Sequence, residues 1–255
     1  MTINDFYRFK KKVDKIAMVT CYDYSIASVI ADTNIDCVLV GDSVSMVVYG
    51  YESTIHATME MMKLHVTAVK NGLKNSKMII ADMPFMSFRK NKYESAENAS
   101  VLIKAGADAV KIEGIDGHEE TIKYIIESGI PVMGHLGLTP QYIKSLGRYS
   151  IQGKDEKTAE KIFSDAIKLE KIGCFSIVLE CVPEKLATEI TKKLKIPTIG
   201  IGSGKKTDGQ VLVINDMIGL FPSSPSFVKK YLNLSEEIKK AMNDYSREVK
   251  DNENN

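Results

Sequence analysis

DCVLVGDS, residues 36 to 43, is the stretch from which the fold is read. Its apolar run, Cys37 to Val40, breaks abruptly into Gly41, Asp42 and Ser43. A short continuous apolar run bounded by turn residues predicts a strand buried on both faces, as in a parallel sheet covered by helices. A carboxylate at its end is not core material. The strand therefore runs into a polar mouth, with Asp42 and Ser43 as one wall of a candidate metal-assisted site.

Seven further runs repeat the pattern: IAMVTC (16–21), MIIADMP (78–84), ADAVKIEG (107–114), IPVMGHLGLTP (130–140), CFSIVLE (174–180), IPTIGIGSG (196–204) and QVLVIND (210–216). Helical patterns lie between most of them. Asp23 caps one that carries Ile26, Ala27, Val29 and Ile30, and another with Met59, Met62, Val66 and Val69 ends at Asn71-Gly72. Others span 94–105, stopped by Gly106, and 118–128, 155–171 and 183–194. Eight strands alternating with helices predict an α/β fold, a (β/α)₈ TIM barrel occupying 1–255 as a single domain. An open doubly wound sheet is the alternative.

Residues 1–15 form an N-terminal arm with Phe6, Tyr7 and Phe9 interleaved, either docked or a frayed terminus. Two long connections, 44–58 and 137–153, are of a length that usually marks function or mobility. Beyond Pro222 and Pro225, an extra C-terminal helix over 226–248 carries Phe227, Val228, Tyr231, Leu232, Ile238, Met242 and Tyr245 on one stripe. That stripe suits a subunit interface. The tail 250–255 is expected to be disordered.

With 44% hydrophobic and 26% charged residues among 255, the chain can bury a large core. No stretch approaches the ~18 apolar residues of a membrane span. The 34 basic and 33 acidic residues are interspersed, which argues against nucleic-acid or anionic-membrane partners. Cys21, Cys37, Cys174 and Cys181 lie in or beside strands without a CxxC pair, as buried reduced thiols do. The opening MTINDFYRFKKK has no apolar core of a signal peptide. A cytoplasmic location is expected.

In a barrel of this kind the active site sits at the carboxyl ends of the strands. Those ends read Asp42 with Ser43, Asp82, Lys111 with Glu113, His135, Glu180 and the run Gly200 to Gly204. Within 107–114, alternation places Lys111 and Glu113 on one side of the strand. An acidic cluster with one lysine suits a hard divalent cation such as Mg²⁺, which takes one or two carboxylates and leaves positions for substrate oxygens. Each residue has a plainer reading. Asp42 alone suits a helix N-cap, Lys111 a counter-ion of Glu113 or Glu180 or a Schiff-base lysine, and His135 a hydrogen-bonded packing residue. GIGSG lacks the third glycine of a dinucleotide fingerprint and reads as a close backbone approach to an anion or ring. GDSVS lacks the last glycine of a nucleophile elbow.

Seven motifs in order, TCYDYS (20–25), LVGDS (39–43), ADMPFMS (81–87), VKIEG (110–114), GHLGLTPQ (134–141), LECVP (179–183) and GIGSG with DGQVLV (208–213), resemble the ketopantoate hydroxymethyltransferase family. The resemblance spans about residues 16–230. It implies transfer of a hydroxymethyl group from the co-substrate 5,10-methylenetetrahydrofolate to 3-methyl-2-oxobutanoate, forming 2-dehydropantoate in pantothenate and coenzyme A biosynthesis through a Mg²⁺-stabilised enolate. It further implies one Mg²⁺ per subunit at Asp42 and Asp82, with Glu113 at or next to the metal. Asp42, Ser43, Asp82 and Lys111 then bind substrate, Glu180 is the proton acceptor and His135 stands behind them. A homo-oligomer, a decamer with the C-terminal helix packed between subunits, is implied as well.

The chain departs from the family pattern at Ser45, usually Gly, at Ser203, usually Ala, and in YESTIHAT (51–58). Of these, Ser45 and the 44–58 loop bear on how the lid over the metal closes. The rival readings are a Mg²⁺-dependent carbon–carbon lyase or mutase acting on a 2-oxo acid, and a catalytically silent barrel kept for assembly.

Overall fold

Side chains along a strand alternate between two faces, and in this chain the alternation decides what fills the barrel and what lines its mouth. The computed structural model describes residues 1–12 and 14–251. The strands are β1 (Ile16–Thr20), β2 (Cys37–Val40), β3 (Met78–Asp82), β4 (Ala109–Glu113), β5 (Val132–Gly137), β6 (Ser176–Glu180), β7 (Thr198–Ile201) and β8 (Gly209–Leu212). They form a closed barrel in sequence order, each paired strand parallel to the next. Closure excludes the open sheet. It removes both edges and lets the interior fill with side chains from every strand.

Met18, Cys37, Leu39, Met78, Ile80, Ala109, Met133, Val178 and Ile199 form one buried cluster. Large apolar side chains of this kind stabilise the fold by about 1.5–3 kcal/mol each on full burial. The same two-residue step carries the inward face from Met78 and Ile80 to Asp82, from Ala109 to Lys111 and Glu113, from Met133 to His135, and from Val178 to Glu180. Register then sets neighbours: Asp82 lies beside Lys111, Glu113 beside His135 and Gly137 beside Glu180.

The N-terminal arm is helical over Ile3–Lys12. Its Phe6 is fully buried in the barrel cluster and meets Phe175 edge to face at 5.1 Å. Burial of an aromatic ring at this point ties the arm down. No disulfide joins the described cysteines: Cys21, Cys37 and Cys174 are buried free thiols, and Cys181 is half-buried.

Several boundaries differ from the sequence reading. The helix Met59–Leu73 passes through Asn71-Gly72, and Lys74, in the left-handed region at φ 49°, is its cap. Gly72 is instead a contact residue: a Cβ there would lie 2.6 Å from both Ala27 Cβ and the Tyr24 carbonyl of the neighbouring helix Tyr24–Ala31. The connection 44–58 contains a short helix, Val44–Val47, and a 3₁₀ turn, Thr54–His56. The run 210–216 is strand only to Leu212 and helical over Ile214–Met217.

The chain divides after Val211 into two compact units. In the second, the C-terminal helix begins at Leu234 and runs to Asp251, later than the predicted 226. The reason is where the backbone donors go. Val228 N–H bonds to Pro225, Tyr231 N–H to the Met217 carbonyl and Leu234 N–H to that of Ile218, so 226–233 makes turns and not a helical ladder. No residue of the helix Leu234–Asp251 is buried. The predicted disordered tail overlaps this helix at 250–251, and 252–255 lie outside the described residues.

Candidate active site

The site is assembled from the carboxyl ends of β2 to β6 and the turns that follow them. Beyond β2, Gly41 lets the chain fold back closely, since a Cβ there would lie 2.7 Å from Ser43 Oγ. Asp42 is buried, and its backbone N–H donates to Asp82 Oδ2 at 3.1 Å. Asp42 is not a helix cap: Ser43 holds that position for Val44–Val47 without a side-chain bond. The Asp42 carboxylate Oδ2 instead accepts from Gln141 Nε2 at 2.7 Å.

Asp82 Oδ1 lies 2.9 Å from Lys111 Nζ, both side chains being 4% exposed. Asp82 is therefore the lysine's counter-ion, in place of Glu113 or Glu180. Burial opposes the Lys111 ammonium, but Asp82, Glu113 and Asp42 outweigh it and raise its pKa. The ion pair with Asp82 suits the protonated lysine, whereas Schiff-base attack needs the free amine.

His135 is the hub between the two halves of the cluster. Nδ1 lies 3.1 Å from Lys111 Nζ and 3.4 Å from Glu113 Oε1, and Nε2 lies 3.3 Å from Glu180 Oε2 without hydrogen-bond alignment. Burial and the Lys111 charge oppose protonation of His135, yet its contacts to Glu113 and Glu180 prevail and raise its pKa. Glu180 is more open than its neighbours, with a side chain 18% exposed. The next residue, Cys181, takes φ 47°, a conformation uncommon for a residue with a Cβ and one that gathers at functional sites. Its N–H bonds to the Ile201 carbonyl at 2.8 Å. Ser203 steadies the same corner by donating to the Leu179 carbonyl at 2.7 Å and accepting from Val182 N–H at 3.2 Å.

Three residues enter that the strand ends did not announce. Gln141, buried in the turn Pro140–Tyr142, bonds Asp42 through its amide and Glu113 Oε2 through its backbone N–H at 3.0 Å. Tyr22, also buried, meets Ser43 Oγ at 2.8 Å, and its carbonyl lies 2.5 Å from His65 Nδ1. Ser45 donates to the carbonyls of Asp42 and Ser53, at 2.9 and 3.0 Å, and so pins the 44–58 connection to the site. The glycine run serves packing: Cβ atoms would lie 2.6 Å from Thr207 Oγ1 at Gly200 and 2.3 Å from Glu184 Cγ at Gly204.

Among the described residues, no group of three or more His, Cys, Asp and Glu side chains is spaced to hold a metal on its own. A hard cation that keeps water and substrate oxygens needs only one or two carboxylates. The donor set fits such a cation. Asp42, Asp82 and Glu113 face the Lys111 ammonium, and burial, then Asp82, then Glu113 push the Asp42 pKa well up, as expected of an excess of buried negative charge. Asp82 Oδ1 also lacks an aligned hydrogen bond. Both oxygens of Glu113 have partners, Gln141 N–H at Oε2 and His135 Nδ1 at Oε1.

The chain matches the ketopantoate hydroxymethyltransferase family over residues 1–254. It belongs to that family. It is 52% identical over 251 residues to 3-methyl-2-oxobutanoate hydroxymethyltransferase of Legionella pneumophila (strain Lens), covering 98% of this chain and 95% of the relative. It is 51% identical over 252 residues to the enzyme of that name from Coxiella burnetii (strain CbuK_Q154), covering 98% and 94%. Among solved structures, 2,3-dimethylmalate lyase, a PEP mutase/isocitrate lyase superfamily member, matches with a TM-score of 0.65 at 13% identity, covering 96% of this chain and 87% of that one. A phosphonopyruvate hydrolase complex with oxalate and Mg²⁺ matches at 0.65 and 11%, covering 99% and 88%. At such identities the likeness shows the barrel fold alone. The family fixes which barrel chemistry is in question.

Proposed function

We propose that this protein transfers a hydroxymethyl group from 5,10-methylenetetrahydrofolate to 3-methyl-2-oxobutanoate, forming 2-dehydropantoate for pantothenate and coenzyme A synthesis in the cytosol. The observation that carries the reading is the buried cluster of Asp42, Asp82 and Glu113 around one ammonium, Lys111, in a chain of this family. Asp42 and Asp82 hold Mg²⁺, with Glu113 next to it. Mg²⁺ bound there supplies a Lewis acid for the keto and carboxylate oxygens of a 2-oxo acid.

The remaining steps belong to the chain's own groups. Lys111 stays protonated and orients the substrate oxygens. Ser43, held from behind by Tyr22, donates to the substrate carboxylate. Glu180 takes the C3 proton at its carboxylate. The electron pair left on C3 forms the new carbon–carbon bond to the methylene carbon of the donor as one of that carbon's C–N bonds breaks, and water replaces the second C–N bond to supply the hydroxyl as tetrahydrofolate leaves. The exposed stripe of Met242, Tyr245 and Val249 on the helix Leu234–Asp251 supports a homo-oligomer, with a decamer as the proposed assembly.

The test is turnover of 3-methyl-2-oxobutanoate with Mg²⁺, with and without methylenetetrahydrofolate. Formation of 2-dehydropantoate only with the folate is expected. Folate-independent cleavage of a 2-hydroxy or phospho acid would replace this reading with a lyase or mutase.

A further inference from the structure

Gln141 occupies an unusual place in the hydrogen-bond network. It lies 3% exposed in the 3₁₀ turn after β5, yet it reaches the ends of three other strands. Its side-chain amide nitrogen donates to Asp42 Oδ2 at 2.7 Å and to the Met83 carbonyl at 2.9 Å, and its backbone N–H donates to Glu113 Oε2 at 3.0 Å. Two acceptors on one side of the amide settle its orientation, because a flipped amide would set its oxygen against both of them. The amide oxygen then faces the other way, buried and without a hydrogen-bond partner. An orphaned buried acceptor is unfavourable, so the two donated bonds must outweigh it.

We propose that Gln141 is the positioning residue of the cation site: by engaging Asp42 Oδ2 and the Met83 carbonyl, it locks the Asp42 carboxylate with Oδ1 presented to the cation, while its backbone holds Glu113 alongside. The inference rests on the reading of Asp42 as a metal ligand. The choice of residue type follows from charge. A lysine or arginine at this point would neutralise Asp42 and compete with the cation. Glutamine supplies two donors and no charge, so it orients the carboxylate and leaves its negative charge for the metal. Asparagine has the same donors on a stem one methylene shorter and cannot reach Asp42 and Met83 together from this turn. Methionine has nearly the same length and no donor.

The experiment is a titration of the full-length protein with Mn²⁺ as the probe, read by electron paramagnetic resonance, for wild type, Gln141→Met, Gln141→Asn and Asp42→Asn, each also unfolded in urea to establish the folded fraction. Loss of a group that orients a metal ligand typically weakens affinity by about ten- to a hundred-fold. Gln141→Met is expected in that range, Gln141→Asn in the same direction, and Asp42→Asn at least as weak. A purely structural role would lower the urea midpoint and leave the Mn²⁺ affinity of the folded protein unchanged. Wild-type affinity in a folded Gln141 variant, with Asp42→Asn impaired, would overturn the inference alone. Wild-type affinity in Asp42→Asn would overturn the metal-site reading and the inference with it. Should Gln141→Met fail to fold, Gln141→Asn decides the question by the same criterion.

Discussion

Replacing Glu180 with glutamine removes a negative charge and a proton acceptor and keeps the shape of the side chain. Glu180 lies at the inward end of β6, 18% exposed, whereas Asp82 and Lys111 are 4% exposed and tied to one another. Glu113 is engaged by Gln141 and His135, and Asp42 by Gln141. No other carboxylate of the cluster is as open to take a proton from substrate. The loss is therefore the full contribution of a positioned general base, roughly a hundred- to ten-thousand-fold. That factor corresponds to about 3–5 kcal/mol on the barrier. Stability should change by less than about 1 kcal/mol, because the contact to His135 at 3.3 Å lacks hydrogen-bond alignment. The assay is deuterium exchange at C3 of 3-methyl-2-oxobutanoate, followed by proton NMR with Mg²⁺ and no folate, beside a Mn²⁺ titration of the same variant. Exchange is expected to fall by the factor above while metal affinity holds. Exchange within about three-fold of wild type would refute the assignment, since the loss of a positioned base cannot be so small.

Lys111→Met leaves Asp42, Asp82 and Glu113 without their central cation, and unfolding in urea without added metal should show a loss of about 3–5 kcal/mol, as for other broken buried pairs. Gly72→Ala gains up to ~1 kcal/mol of helix propensity but drives a methyl group into Ala27 and the Tyr24 carbonyl at 2.6 Å. Overpacking of about 1–3 kcal/mol should win, and a higher melting temperature would contradict it. His118 gives a pH signature. Burial first, and Arg89 after the opposing bond to the Asp116 carbonyl, push its pKa down to about 4. The unfolded chain binds this proton near pH 6.5, so stability is fully present above that value and falls as pH drops toward 4, by roughly 3 kcal/mol at most. The urea midpoint of His118→Gln should be flatter than wild type between pH 7 and 4.5 on that account; parallel profiles would refute it.

Most parts of the site that the sequence disclosed obey the two-residue period of a strand; Asp42 does not, since Cys37 and Leu39 face inward, and it was disclosed instead as a carboxylate ending an apolar run. Asp82, Lys111, Glu113, His135 and Glu180 each extend an apolar inward face by one or two steps, so an alternating pattern was enough to place them. Gln141 obeys no such period. It sits in a turn 99 residues from the carboxylate it binds, and the sequence marked it only as the last residue of the motif GHLGLTPQ, a polar residue directly after Thr-Pro at a strand end. Tyr22 was hidden for a similar reason, lying just past β1 and reaching Ser43 through space. Gly72 misled because an Asn-Gly pair near a helix end looks like a cap from the sequence, while the neighbouring helix that demands the glycine is some forty-five residues earlier in the chain.

By itself the sequence determined the eight strands, their polar ends and the family motifs, because period, burial and turn chemistry are local properties of a chain. Tertiary structure decided the rest. Closure of the barrel and the register of Asp82 with Lys111 and Glu113 with His135 turned separate strand ends into one cluster of opposed charges. It also made Asp82, and not Glu113 or Glu180, the partner of Lys111. The physical reason is that electrostatic and hydrogen-bonding partners are set by distance in space, and distance across a closed parallel barrel depends on stagger and turn geometry that no stretch of sequence contains alone.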